Sequence, residues 1–155
     1  MTGLLTNEKV VRLNVKAETW EESIREAGAL LENEKFISKE YIDKMVNIVK
    51  EYGPYIVVFE NVALAHAQAG TGVFQTGASL ITLHNPVVFG NPDNDPVSIV
   101  IALASVNHSN HLQFLRTIMD AFSKGAKEEI LEASSEEKII ELFNQYSEEN
   151  EDEEI

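Results

Sequence analysis

Apolar residues change their spacing twice along this chain, from helical to strand-like near residue 53 and back to helical near residue 107. A sequence that carries both patterns is restricted to folds in which helices pack on a sheet. The strand-like segments, at 55–59, 79–83 and 97–104, are short, rich in β-branched residues and bounded by Gly, Pro, Asn or Asp. We therefore predict a layered α/β domain with three strands of one sheet in its middle.

Two helices are predicted before the strands. Thr19 and Glu22 have the spacing of a capping box, and apolar residues then recur at helical spacing over 19–33. Ser38 is a candidate cap for a second helix, whose pattern continues until Gly53-Pro54 stops it.

Two more helices are predicted after the strands. The polar residues 107–110 can cap the first of them, and Gly125 can end it. Ser134 and Glu137 have capping-box spacing before the second. The apolar residues of these helices are Leu112, Leu115, Ile118, Met119 and Phe122, followed by Ile139, Ile140 and Phe143. Residues 85–96, which include three of the four prolines, are predicted to form a surface loop.

The length of 155 residues and the 44% apolar content fit one compact domain with a full core. We assign residues 1–146 to this domain. The last residues are crowded with acids and carry no base, so we expect 147–155 to be a solvated, disordered tail. The acids of this tail are Glu148, Glu149, Glu151, Asp152, Glu153 and Glu154.

The composition excludes several classes of function. A net charge of −14 argues against binding to nucleic acid or anionic lipid, because both require clustered lysine and arginine. The absence of cysteine excludes disulfides, thiolate metal sites and cysteine nucleophiles. Neither a basic leader nor an apolar run of about 20 residues is present, so a cytoplasmic location is expected.

Two histidines are the main candidates for chemistry. His66 lies among small residues in Ala63-Leu64-Ala65-His66-Ala67, just beyond the first predicted strand, and His111 lies in the first turn of the helix after the third. Both positions are at the rim of the sheet, where α/β folds commonly place their sites. A neutral imidazole attacks phosphorus when one ring nitrogen is held as N–H and the other is exposed. The second histidine, together with the helix start, can stabilise the charge on a phosphoryl group.

Other residues near these histidines have weaker claims. Glu60, Ser79 and the turn Gly70-Thr71-Gly72 are close in sequence and could orient or accommodate the transferred group. His108 and His111 are three positions apart, so a metal site completed by His66 is an alternative. The nearest acids, Asp93 and Asp95, lie in a turn where they have structural roles. We therefore expect neither a metal nor another cofactor.

Residues 50–124 resemble the enzyme IIA component of the bacterial phosphoenolpyruvate-dependent sugar phosphotransferase system, of the mannitol and fructose type, with the ascorbate branch nearest. The resemblance implies an α/β sandwich with a mixed central sheet and helices on its faces. The segments that carry it are Gly53-Pro54-Tyr55-Ile56-Val57-Val58, Ala63-Leu64-Ala65-His66-Ala67, Ser79-Leu80, Pro86-Val87, Phe89-Gly90, Asn94-Asp95-Pro96-Val97, Ala102-Leu103-Ala104 and Asn110-His111-Leu112.

The resemblance also implies a function. The histidine at the place of His66 accepts a phosphoryl group from the histidine phosphocarrier protein and passes it to an enzyme IIB component, on a cysteine in this branch. His111 is then expected beside the phosphate. The group finally serves a membrane enzyme IIC that takes up an ascorbate-like or pentitol-like sugar. Since the family includes dimers, a homodimer is a further expectation.

The chain departs from the family pattern at several positions. Gln68 stands where the ascorbate branch tends to have a base, and Lys50 stands nearest to an arginine that many mannitol and fructose members carry. Two other departures keep a second interpretation open: Ala65 stands where the family usually has proline, and Phe59-Glu60-Asn61-Val62 replaces the family's small lead-in to the histidine. A regulatory IIA-like protein that does not feed a transporter is therefore the alternative function.

Overall fold

The structure is a computed structural model that describes the backbone of residues 5–154 and the side chains of residues 5–146. Its strands are β1 (Val11–Val15), β2 (Val62–His66), β3 (Gly77–Val87) and β4 (Val97–Ala104). Its helices are α1 (Trp20–Asn33), α2 (Lys39–Tyr52), α3 (His108–Ser123), α4 (Ala126–Glu132) and α5 (Glu136–Glu154), with a 3-10 helix at Glu8–Val10.

The strands form one mixed sheet in the order β1-β3-β4-β2. β3 and β4 are antiparallel at the centre, and each outer strand runs parallel to its neighbour. α1 packs on β3, β4 and α2, while α5 packs on β1 and α3. The predicted α/β sandwich with a mixed central sheet and flanking helices is confirmed. β2 is an edge strand of this sheet, which becomes important for the site.

The helix starts follow the predictions only in part. Thr19 caps α1 by accepting a hydrogen bond from the Glu22 N–H at 3.2 Å, and the Glu22 carboxylate accepts from the Glu18 N–H at 2.7 Å. Ser38 precedes α2, but its side chain makes no capping bond. The predicted capping box at Ser134 is wrong, because Ser135 provides the hydroxyl that accepts the Lys138 N–H at 3.4 Å.

The predicted strand at 55–59 is wrong. This segment is an irregular turn region in which Ile56 and Val57 are buried in the core. Their hydrophobic character therefore reflects core packing and not pairing with a neighbouring strand. The strand of this region is β2, which starts at Val62 and pairs with β4 from Val62↔Ile99 to His66↔Leu103. Small residues such as Ala63 have low strand propensity, and tertiary pairing overrides it here.

Other boundaries also differ from the predictions. The first strand, β1, and the short helix α4 were not predicted. β3 continues to Val87, which pairs with Val97, so the predicted loop at 85–96 begins three residues later. In α3 the predicted core residues Leu112 and Met119 are exposed, because the buried face is formed by residues such as Phe114 and Ile118.

The loop between β3 and β4 is folded around one carboxylate. Asp95 accepts hydrogen bonds from the backbone N–H groups of Phe89, Gly90 and Asn91 at 2.8 to 3.0 Å. The Asn94 side chain donates to the Val57 carbonyl at 2.8 Å. The structural role expected for Asp95 is therefore confirmed, and this loop supports segment 53–59.

Helix α5 runs to Glu154, and the side chains of 147–155 lie outside the described residues. The division into a domain at 1–146 and an acidic tail at 147–155 stays a prediction. None of the helices in the described part of the chain has both the length and the apolar character required to cross a bilayer.

Candidate functional site

His66 is the last residue of β2 and its side chain is half-buried. His66 was predicted to lie just beyond a strand, whereas it is part of β2 and ends it. The Leu64 N–H points away from β4 and donates to the Ile56 carbonyl at 2.8 Å. Since the N–H and C=O of one strand residue point to the same side, the Leu64 carbonyl also faces the outer edge of the sheet.

The imidazole of His66 uses this outward carbonyl. Its Nδ1 lies 2.9 Å from the Leu64 carbonyl oxygen. A carbonyl only accepts, so Nδ1 carries the proton and donates, and the lone pair of the neutral ring is on Nε2. The edge position of β2 therefore selects the tautomer of His66.

His111 lies in the first turn of α3, beside His66. The two ring centroids are 5.6 Å apart, with the ring planes inclined at 49°. Nδ1 of His111 lies 3.5 Å from the hydroxyl of the buried Ser105. Burial lowers the pKa of His111 below its ordinary value of 6.5, and the nearby His66 and His108 lower it further. Both effects favour the neutral form of the His111 imidazole.

The two histidines share an open cleft of about 220 Å³. Its lining is formed by Ile48, Tyr55, His66, Ala67, Gln68, Ala69, His108 and His111. The Tyr55 ring meets the His66 ring edge-on, with centroids 6.2 Å apart. The amino end of α3, capped by Asn107, contributes its positive dipole end to this cleft and has no acid in its first turn. The cleft is suited to an anionic group.

The structure does not bring Glu60 or Ser79 to the cleft. Glu60 is exposed and precedes β2, whose five residues extend over roughly 13 Å before His66. Ser79 is fully buried in β3, where its hydroxyl donates to the Ala27 carbonyl at 2.6 Å. We therefore withdraw both as supporting site residues, since one lies at the wrong end of β2 and the other is bound to α1.

The predicted turn Gly70-Thr71-Gly72 lies close to the histidines. Its Gly70 N–H donates to the Ser105 carbonyl at 3.0 Å, and the Ser105 hydroxyl is the group next to His111. Thr71 lines a second cleft, of about 240 Å³, that adjoins the first and shares Ile48, Ala67, Gln68 and Ala69 with it.

The metal alternative has no support in the described residues. Among them no three His, Cys, Asp or Glu side chains are grouped so that they could hold a metal ion. His66, His108 and His111 all line the cleft, yet they do not form such a group.

The contribution of α2 to the site was not predicted from the sequence. Ile48 lines the histidine cleft, and Lys44 lines the adjoining one. Their spacing of four residues places them on one helix face, which is the signal that could have found them. Lys50, the residue nearest to the family's arginine, is directed elsewhere: its Nζ lies 3.5 Å from a Glu21 carboxylate oxygen on α1.

Residues 4–146 match the family model described as "Phosphoenolpyruvate-dependent sugar phosphotransferase system, EIIA 2". The chain is 32% identical over 142 residues to the ascorbate-specific phosphotransferase system EIIA component of Escherichia coli K12, a match that covers 90% of this chain and 92% of that protein.

Solved structures show the same similarity. In a complex of enzyme IIAMTL and phosphorylated enzyme IIBMTL from Escherichia coli, one chain is 26% identical with a TM-score of 0.78, covering 90% of this chain and 96% of that one. The nitrogen regulatory protein IIA-Ntr from Neisseria meningitidis is also 26% identical, with a TM-score of 0.76 and the same two coverages.

Proposed function

Because this chain belongs to the EIIA 2 family of the phosphoenolpyruvate-dependent sugar phosphotransferase system, we propose that it carries a phosphoryl group on Nε2 of His66. The observation that supports this most directly is the 2.9 Å contact between Nδ1 of His66 and the Leu64 carbonyl. It holds the proton on Nδ1 and leaves the lone pair on Nε2 for the attack on phosphorus.

The donor in this proposal is the phosphorylated histidine phosphocarrier protein. Nε2 of His66 forms a bond to phosphorus while the bond from phosphorus to the donor's ring nitrogen breaks, and the electron pair leaves with the donor imidazole. The N–H donated to Leu64 stabilises the charge that builds up on the His66 ring. In the second step a cysteine thiolate of enzyme IIB attacks the same phosphorus, and the pair of the P–N bond returns to Nε2.

His111 and the amino end of α3 stabilise the transferring group. The Ser105 hydroxyl can donate to Nδ1 of His111, which leaves the proton of this neutral ring on Nε2 as a donor for phosphoryl oxygens. A donor aimed at developing charge in a half-buried cleft contributes more than the same donor in water.

The partners follow from the chemistry and the surroundings of the cleft. Tyr55, 49% exposed, lines the cleft, and Leu112, 54% exposed, follows His111 in α3, so both offer apolar surface to a transient partner. We assign this role first to the phosphocarrier protein and then to enzyme IIB, while a membrane enzyme IIC takes part only indirectly. The E. coli relative favours an ascorbate-like sugar. We propose a cytoplasmic location, since a carrier that exchanges phosphoryl groups with these partners has to share their compartment.

The test is phosphorylation of the purified chain with phosphoenolpyruvate, enzyme I and the phosphocarrier protein, followed by intact mass spectrometry at neutral to basic pH. We expect an acid-labile gain of one phosphoryl group that is lost in His66→Ala. His84→Ala is the matched control, since His84 is exposed on β3 and is not part of the cleft lining. A gain that survives in His66→Ala would overturn the assignment.

A second candidate function is regulation of a partner by the phosphorylation state of His66. It is favoured by the likeness to the nitrogen regulatory protein from Neisseria and by the departures at Ala65 and in Phe59-Glu60-Asn61-Val62. Incubation of the labelled chain with enzyme IIB from the same organism separates the two functions. Rapid loss of label to enzyme IIB supports transport, and retention of label favours regulation.

A further inference from the structure

A buried tyrosine of α2 reaches the end of β2 directly behind His66. Tyr41 has no exposed surface, and its hydroxyl lies between Leu103 and Ala67. The hydroxyl donates to the Leu103 carbonyl at 2.8 Å and accepts from the Ala67 N–H at 3.1 Å. The Ala67 carbonyl is farther away, at 3.3 Å, so the single hydroxyl proton belongs to Leu103.

These two backbone groups are the next ladder partners of β2 and β4. Leu64 points its N–H away from β4, so by alternation Ala67 points its N–H toward β4. With His66 opposite Leu103, the Ala67 N–H and the Leu103 carbonyl would face each other next. The Tyr41 hydroxyl therefore enters the ladder at the first position after His66 and bridges the two strands where their pairing ends.

The tyrosine itself is held in place by the segment that follows Ala67. The Ser38 N–H, at the start of α2, donates to the Gly72 carbonyl at 2.9 Å. Gly72 has a φ of +83°, and a Cβ there would lie 3.2 Å from Cβ of Tyr41. Burial raises the pKa of Tyr41, so the hydroxyl keeps the proton it donates.

We propose that Tyr41 is a positioning residue for His66: its hydroxyl fixes the end of β2, so that the imidazole stays on the Leu64 carbonyl with Nε2 directed to the cleft. The inference rests on the proposed function, since it assigns Tyr41 a role in phosphoryl transfer at Nε2. The His66 ring and the Leu64 carbonyl both belong to the last three residues of β2, so their 2.9 Å contact depends on the backbone that Tyr41 holds.

The test is Tyr41→Phe, which removes only the hydroxyl. Tyr146→Phe is the matched control, because Tyr146 is also buried but belongs to α5, which packs on β1 at the opposite edge of the sheet from β2. With saturating phosphorylated phosphocarrier protein, we expect the transfer rate constant of Tyr41→Phe to fall by roughly ten- to a hundredfold, the scale of a small misplacement of a reacting group. The half-saturating concentration should stay unchanged, and Tyr146→Phe should keep the wild-type rate.

A spectroscopic readout separates positioning from loss of stability. In the unaltered chain, ¹⁵N NMR of His66 should give one protonated and one unprotonated ring nitrogen. In Tyr41→Phe the two shifts should move toward each other as the ring samples both tautomers. A folded Tyr41→Phe variant with the wild-type rate and wild-type shifts would overturn the proposal while leaving His66→Ala free to establish the acceptor.

A measurement on the unaltered chain covers the case in which Tyr41→Phe does not fold. The amide proton of Ala67 lies outside the strands but is bound to a buried hydroxyl, so its hydrogen exchange should be as slow as that of Ala65 inside β2. Exchange at the rate of an exposed loop amide would contradict the bridge and with it the role of Tyr41.

Discussion

Nδ1 of His66 lies 2.9 Å from the carbonyl oxygen of Leu64, two positions earlier in the same strand. A side chain can bond back to its own strand in this way only where the carbonyl is not used by a neighbouring strand. The edge position of β2 in the order β1-β3-β4-β2 satisfies that condition. The topology of the sheet thus determines which nitrogen of His66 is available for chemistry.

Replacing His111 should slow transfer without abolishing it. The ring centroids of His111 and His66 are 5.6 Å apart, and His111→Ala removes the imidazole donor. We expect the transfer rate to fall by roughly 10²-fold, the scale found for one stabilising donor. Rapid-quench labelling measures the rate. His84→Ala is the control, because His84 is exposed on β3 and is not part of the cleft lining, and an equal loss in both variants would contradict a specific role for His111.

The lowered pKa of His111 makes stability depend on pH in a definite direction. Below about pH 6.5 the unfolded chain binds a proton at His111 that the folded chain does not, so this contribution to stability is present above pH 6.5 and is lost as the pH falls. Urea unfolding from pH 7.5 to 5.5 should therefore show a steeper decline for the wild type than for His111→Gln. Equal slopes for the two proteins would contradict the lowered pKa.

Phosphorylation of His66 should reverse this shift. A phosphoryl group adds negative charge next to His111, and a nearby negative charge favours the protonated imidazole. NMR titration should find the pKa of His111 higher in the phosphorylated chain than in the free one. An unchanged pKa would mean that the phosphoryl group is not beside His111.

Asp95 should matter for stability far more than its neighbour Asp93. Asp95→Ala leaves three backbone N–H groups without their carboxylate, and we expect the free energy of unfolding to fall by about 2 kcal/mol or more. Asp93→Ala, in the same loop but with an exposed side chain, should change it by less than about 0.5 kcal/mol. Chemical denaturation compares them, and similar losses would rule out the carboxylate as the centre of this loop.

Ser79 should affect folding but not transfer. Ser79→Ala removes the 2.6 Å bond to the Ala27 carbonyl and should lower the free energy of unfolding by about 1 to 3 kcal/mol, while the phosphorylation rate stays at the wild-type value. Glu60→Gln should leave both quantities unchanged. A slower transfer in either folded variant would return that residue to the site.

The parts of the fold that the sequence predicted well are those where packing produces a regular pattern. The bounds of α1 and β4 were predicted within one residue, because α1 has one continuous buried face and β4 is an almost fully buried run. Segment 55–59 was misassigned because buried turn regions and buried strands are equally apolar. β1 was missed because its pattern is interrupted at Asn14, which has a φ of +56° and a register shift beside it.

The same distinction applies to the site. His66 and His111 could be paired from sequence because each stands at the end of an element, and such ends meet at one edge of a sheet. Tyr41 could not be found from the sequence, because it is buried and its hydroxyl contacts residues 26 or more positions away. Ser105 could not be found either, because its contact with His111 depends on a ring orientation that only the fold defines. Glu60 was misplaced because residues that are close in sequence are far apart in space when an extended strand lies between them.

Whether Nε2 of His66 receives the phosphoryl group can be measured by ¹⁵N and ³¹P NMR of the ¹⁵N-labelled, phosphorylated chain at pH above 8. We expect a single phosphohistidine at residue 66, with phosphorus coupled to Nε2 and the proton retained on Nδ1. Phosphorus on Nδ1 of His66, or on any other residue, would contradict this assignment.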